Sequence, residues 1–174
     1  MTELDEAWEL ALAEAKQRAR AAGRADITDY LDLRAQNDLL RRTGIGWLTN
    51  KIISLAADAN RDGAGIQIEQ QDAHRFRRGS ATMVGSQLTL RRGVRALIVE
   101  SGWPRTPRDG FVSGGGLAYA TIKHFGRHRA NAELLLAQSR GGAPRWLITE
   151  KARDQSTLSE THLRNHFSIL LSEL

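Results

Sequence analysis

The sequence of 174 residues contains no cysteine, three prolines and few aromatic residues, which make up 6% of the chain. The absence of cysteine excludes disulfide frameworks, thiolate nucleophiles and Cys-ligated zinc. With so little proline and no low-complexity run, a long disordered segment is not expected. No apolar stretch approaches the roughly 18 residues that crossing a bilayer takes. The start, Met-Thr-Glu-Leu-Asp-Glu, has neither the basic nor the apolar region of a secretory signal, so a soluble, cytoplasmic protein is expected. This length suits one domain, 1–174, able to bury a core without metal or disulfide staples.

Charge is abundant and unevenly spread. Residues 1–65 carry nine Lys/Arg against eleven Asp/Glu, and residues 66–174 carry sixteen against nine. The imbalance peaks between His74 and Arg129. There Arg75, Arg77, Arg78, Arg91, Arg92, Arg95, Arg105, Arg108, Lys123, Arg127 and Arg129 face only Glu100 and Asp109. Such a bias points to an anionic macromolecule or an acidic protein surface as partner and is silent about fold.

Hydrophobic periodicity divides the chain near residue 63. Leu4, Trp8, Ala11, Leu12 and Ala15 form one helical stripe, closed by Gly23. A second helix is expected from Asp26 or Thr28, using Ile27, Leu31, Ala35 and Leu39 and stopping at Thr43-Gly44. A third uses Leu48, Ile52, Leu55, Ala56 and Ala59 and ends near Gly63. From residue 64 the pattern changes to strands: Gly65–Glu69, then two runs flanking Arg92-Gly93 as a hairpin. Residues 117–125 and 132–138 fit strand or short helix, and the glycines that punctuate them favour strands. Pro144–Glu150 is the last expected strand. Thr157-Leu158-Ser159-Glu160 reads as a capping box opening a helix with Leu163, Phe167, Leu170, Leu171 and Leu174 on one face. The expectation is an α+β fold: a helical part (1–63), then a basic antiparallel sheet of five or six strands with a C-terminal helix packed on it (64–174).

Four patterns carry chemistry. Asp58, Asn60, Asp62 and Glu69, with Gly63, match the spacing of an EF-hand calcium loop, but residues 70–75 lack the apolar stripe of its exit helix, so no metal is expected. His124/His128 and His162/His166 stand at i, i+4, a spacing used by zinc sites, yet each pair alone is an incomplete ligand set. Ser113–Gly116 could cradle a phosphate only if a helix followed. The fourth is basic and aromatic. Trp103, Arg105, Arg108 and Phe111 share a loop of two prolines and four glycines, and Lys123-His124-Phe125-Gly126-Arg127-His128-Arg129 repeats the mixture. Arginine engages phosphate bidentately and aromatics stack bases, so this combination suits single-strand binding.

The reading that follows is a non-catalytic binding or adaptor protein without cofactor, whose basic sheet meets nucleic acid or another polyanion. Two alternatives stand beside it. One is an assembly protein that forms a homodimer through its Ala-rich N-terminal helices. The other is a ligand or enzymatic pocket under the C-terminal helix, with His124 or His162 as general base.

Overall fold

Residues 25–61 make a single uninterrupted helix, although Gly44 and Gly46 stand in its middle. In the computed structural model, which describes residues 3–140, 142–150 and 154–172, the helix α1 (Glu3–Ala21) turns at Gly23 into α2 (Ala25–Arg61). At 37 residues α2 is about 55 Å long, given 1.5 Å per residue. The expected break at Thr43-Gly44 does not occur, and the segments read as a second and a third helix are one. Gly44 has another purpose: a Cβ there would lie 2.6 Å from both δ-carbons of Leu136. Its bare backbone lets the helix settle onto the sheet, where Trp146 Nε1–H donates to the Gly44 carbonyl at 2.8 Å. The helix stops at Arg61, and Gly63 follows at φ +88°, the left-handed turn that glycine adopts without strain.

Seven strands follow, each antiparallel to its neighbours and in chain order across one sheet. They are β1 (Gln67–Arg78), β2 (Ala81–Arg92), β3 (Arg95–Trp103), β4 (Ala118–His124), β5 (Ala132–Ala137), β6 (Arg145–Glu150) and β7 (Asp154–Thr157). Both ambiguous segments, 117–125 and 132–138, are strands. The count exceeds the five or six expected because of β7. Its sequence, Asp-Gln-Ser-Thr, has no apolar residue to alternate, since it is an edge strand paired only with β6.

Thr157 ends β7, and the N-cap of α3 (Glu160–Leu171) is Ser159, boxed with His162 three residues on. The cap thus sits two residues later than the Thr157–Glu160 box predicts. Leu174 and the side chain of Leu4 lie outside the described residues.

Alternation sends one side of every central strand into the main core. Leu48, Ile52, Leu55 and Ala56 of α2 meet Leu88, Leu90, Leu97, Val99, Ile122, Leu134, Leu136, Trp146 and Ile148 of the sheet. Leu163, Phe167 and Leu170 of α3 complete that core. Each fully buried side chain of this size contributes about 1.5–3 kcal/mol. The opposite side of the sheet carries a smaller cluster of Phe76, Ala81, Met83 and Tyr119, covered by Val112 from the β3–β4 loop.

Close backbone approach shapes the sheet at one row. Gly85 and Gly102 are cross-strand partners; a Cβ on Gly85 would stand 1.9 Å from the Ser101 carbonyl oxygen, and one on Gly102 2.6 Å from that of Val84. Here β1 also leaves its ladder between Gln71 and His74, with Ala73 at φ +53°.

Gly85→Ala is expected to lower the stability by about 3 kcal/mol, because backbone atoms on β3 must move. Gly46→Ala, whose Cβ would meet nothing within 4 Å, is expected to raise it by up to about 1 kcal/mol through helix propensity. Urea unfolding of the two variants gives the opposite signs; a stable Gly85→Ala protein would contradict this account of the sheet.

Candidate anionic-partner surface

The eleven cations between His74 and Arg129 fall into two groups. The first holds the fold together. Arg105 is buried at 9% exposure: it stacks on Trp103 at 3.6 Å, donates from Nη1 to Asp5 Oδ1 at 3.0 Å and ties the β3–β4 loop to α1. Trp103 is 3% exposed, so the loop expected to show an aromatic–arginine pair keeps both inside. Of the four basic and aromatic residues of that loop, Arg108 and Phe111 are the exposed ones. Around this pair, Asp38 accepts from Trp8 Nε1–H and from Arg41 Nη1, both at 2.7 Å, and Arg34 donates to the Arg105 carbonyl at 2.7 Å.

Arg92 and Arg95 serve helix ends. Arg92 donates to the carbonyls of Ala64, just past α2, and Leu171, the last residue of α3; Arg95 donates to the Ile169 carbonyl and Ser172 Oγ. Cations there answer the unpaired carbonyls and negative dipole of a helix C-terminus. Arg78 lies over the Tyr119 ring at 4.0 Å and 3.8 Å from Glu133.

The second group is exposed: Arg75 and Arg77 on the edge strand β1, Arg91 at the end of β2, Arg108, Lys123, and Arg127 with Arg129 after β4. These do not make one continuous platform. Four of them, however, gather at the end of the sheet where the β2–β3 and β4–β5 turns lie together. Leu97 pairs with His124, and Phe125 N–H donates to the Ala96 carbonyl at 2.9 Å, which sets Phe125 beside the Gly93-Val94 turn. Phe125 is 71% exposed and Val94 76% exposed.

The β4–β5 turn is built tightly. Gly126 takes φ +76°, Arg127 N–H bonds the His124 carbonyl, and Asn131 Oδ1 accepts from the His124 backbone N–H at 2.8 Å. An ordered turn thus holds an aromatic ring in solvent at the sheet end that also carries Arg91, Lys123, Arg127 and Arg129.

Lys123 also belongs to a polar cluster on the sheet side away from α2. Its Nζ donates to Glu100 Oε2 at 2.7 Å, while His74 Nε2 lies 2.9 Å from Glu100 Oε1 and Thr121 Oγ1 3.4 Å from Oε2. Burial opposes the charge on Glu100, but the Lys123 and His74 hydrogen bonds outweigh it and hold the carboxyl below its ordinary range. Strand register assembles this group from β1, β3 and β4; spacing along the chain carried no sign of it.

The histidines pair otherwise than their spacing suggests. His124 and His166 stack at 5.1 Å with Nε2 and Nδ1 2.8 Å apart, joining β4 to α3, while His162 Nδ1 accepts from the Ser159 backbone N–H at the cap. His128 is exposed at the turn. The α2–α3 groove is lined by Asp58, Asp62, Arg92 and Arg164 along with apolar residues.

The calcium-loop spacing is used for a helix end and a strand. Asn60 spends its amide on both backbone groups of Ile66, Asp58 pairs with Arg61, and Glu69 points outward from β1 where an exit helix would be required. Among the described residues no group of three or more acids or histidines is placed to hold a metal ion. The Ser113–Gly116 run leads into a strand, and Gly116 makes room for Leu135, whose Cδ1 would lie 2.3 Å from a Cβ there. No described helix is long and apolar enough to cross a membrane. Comparison with protein-family models, curated proteins and solved structures finds no match to this chain.

The histidine pair makes stability depend on acid. Burial, with His124 and His162 adding, pushes His166 from its ordinary 6.5 down to about 4, and burial with Arg127 lowers His124. Both groups therefore take up protons in the unfolded chain first, so stability present above pH 6.5 falls as the pH drops towards 4. The expected loss is about 2 kcal/mol between pH 7 and pH 4.5. His166→Gln should flatten that slope in urea titrations at pH 7, 6 and 5; an unchanged slope would contradict the assignment.

Proposed function

We propose that the protein is a non-catalytic nucleic-acid-binding protein, engaging a single strand through the turn end of its sheet. The observation that carries this is the exposed Phe125 ring on an ordered turn, at the sheet end that also carries the exposed Arg91, Lys123, Arg127 and Arg129, with Lys123 shared with Glu100. Cations track the phosphates, and a solvent-facing ring offers a stacking surface to any base. The sign of the charge supports the same reading, since this sheet end lies within the stretch with eleven cations and two acids. Arg75, Arg77 and Arg108 then extend the favourable field without forming the contact itself.

Titration of labelled single- and double-stranded oligonucleotides at two salt concentrations tests it. Binding is expected to prefer single strands and to weaken steeply with salt. Arg127→Glu with Arg129→Glu should weaken it by at least tenfold and reduce the salt slope by about 2, whereas Phe125→Ala should weaken single-strand binding alone, by about 1–3 kcal/mol. No binding at low salt, or equal binding by the charge-reversed protein, overturns the proposal.

A second reading, self-association through the N-terminal helices, is favoured by the exposed Leu10 of α1 and the exposed Tyr30, Leu33 and Leu39 of α2. In α1 the first turn is acidic (Glu3, Asp5, Glu6) and the last basic (Arg18, Arg20), which suits an antiparallel copy of itself. Sedimentation at micromolar concentration is expected to show a dimer that Leu10→Glu with Leu33→Glu dissociates. A monomeric wild-type chain removes this reading and leaves the first intact.

A further inference from the structure

A cleft of about 410 Å³ lies between α2 and the β1–β2 hairpin, lined also by Trp103 and Arg105 and by no residue of the exposed turn. That volume is in the range of small-molecule sites. Two features that local physics disfavours meet on its walls. Gly46 stands in the interior of α2, where glycine costs about 1 kcal/mol relative to alanine, and no atom lies within 4 Å of the space its Cβ would fill. Gly44, one half-turn earlier, is explained by Leu136; nothing in the packing explains Gly46. On the facing wall Ala73 holds φ +53°, the sole residue other than glycine at positive φ among those described, inside the break in the β1 ladder. Departures of this kind concentrate where a site needs them. Here the glycine keeps the cleft open, and the bulge turns the chain so that Asp72 and Gln70 line it.

The charges on the walls say what kind of ligand suits the space. Asp5 and Arg105 close on each other at 3.0 Å. This leaves Asp72 from β1 on one wall and, on another, Arg42 from α2 with one terminal nitrogen already engaged. Arg42 gives Nη2 to Glu9 at 2.7 Å, and its buried Nη1 has no hydrogen-bond partner within the protein. A buried guanidinium N–H left in that state calls for an acceptor. Thr49, Asn50 and Ser86 add neutral donors and acceptors between the two charges. A polyanion has no place in a cleft whose four charged side chains, with Glu9 on Arg42, sum to −1.

We propose that this cleft binds a small zwitterion of amino-acid size, its carboxylate directed to Arg42 and its ammonium to Asp72. The site is separate from the turn at Phe125, so either assignment stands or falls without the other.

The test is a set of free L-amino acids, each beside its N-acetyl and its amide form, titrated into the full chain with amide chemical shifts as readout. At least one free amino acid is expected to bind and to shift the amides of Thr49, Ala73 and Ser86, with both blocked forms at least tenfold weaker. Asp72→Asn should weaken that binding at least tenfold, and Gly46→Met, which fills the cleft, should abolish it; circular dichroism and urea unfolding establish that both variants are folded. Gly46→Ala adds one methyl group and serves as a second, more stable variant, expected to bind less tightly. The proposal is overturned if no free amino acid binds, if a blocked form binds as well as its parent, or if a folded Gly46→Met protein binds like wild type.

Discussion

The close seating of α2 on the sheet is the contact on which the other features depend. It requires a glycine at position 44, because Leu136 occupies the volume a side chain would need, and it is pinned by the Trp146 indole on the Gly44 carbonyl. From that point onwards Leu48, Ile52, Leu55 and Ala56 run along the inner face of the strands, and α3 closes the core beside them. The same seating sets the direction of the first half of α2, so that Asp38, Arg41 and Arg34 reach the β3–β4 loop and α1 lies where Asp5 can meet Arg105.

Cations in this protein divide by what the backbone nearby leaves unpaired. Helix C-termini present carbonyls without partners; Arg92 and Arg95 take those of Leu171 and Ile169 in α3, and Arg92 also that of Ala64 just past α2. The loop after Trp103 runs under two helices, and Arg105 is buried there with a carboxylate and an aromatic face as partners. A buried guanidinium needs such company, since an isolated charge would be costly to remove from water. Cations at turn tips and on the edge strand have no such demand on them and stay in solvent. The cations left exposed are therefore Arg75, Arg77, Arg91, Arg108, Lys123, Arg127 and Arg129, four of them at the turn end of the sheet.

Much of the architecture was legible from local pattern. The two-residue alternation of β2, β3 and β6 and the stripe of α3 follow from the side-chain period of the element, and the β2–β3 turn, expected at Arg92-Gly93, falls one residue later at Gly93-Val94. The pattern misled where a residue answers to something distant. Gly44 resembles a helix stop until Leu136 is in view. The polar strand β7 has no apolar residue to announce it, and Asp58–Glu69 carries metal-ligand spacing although Asn60 is engaged by Ile66. Trp103 and Arg105 looked solvent-facing because proline and glycine surround them, yet α1 covers the loop.

By itself the sequence determined the α+β class, the order of helical and strand regions, and a basic charge concentrated between residues 74 and 129. These depend on neighbours within a few residues, or on a simple sum. Only the tertiary structure decided which of the cations are free, which carboxylates meet them, and where space remains. Asp5 and Arg105 are a hundred positions apart, His74 and Glu100 twenty-six, and His124 and His166 forty-two. Partners at such distances are chosen by strand register and by how the helices seat on the sheet, and neither leaves a periodic signal in the chain.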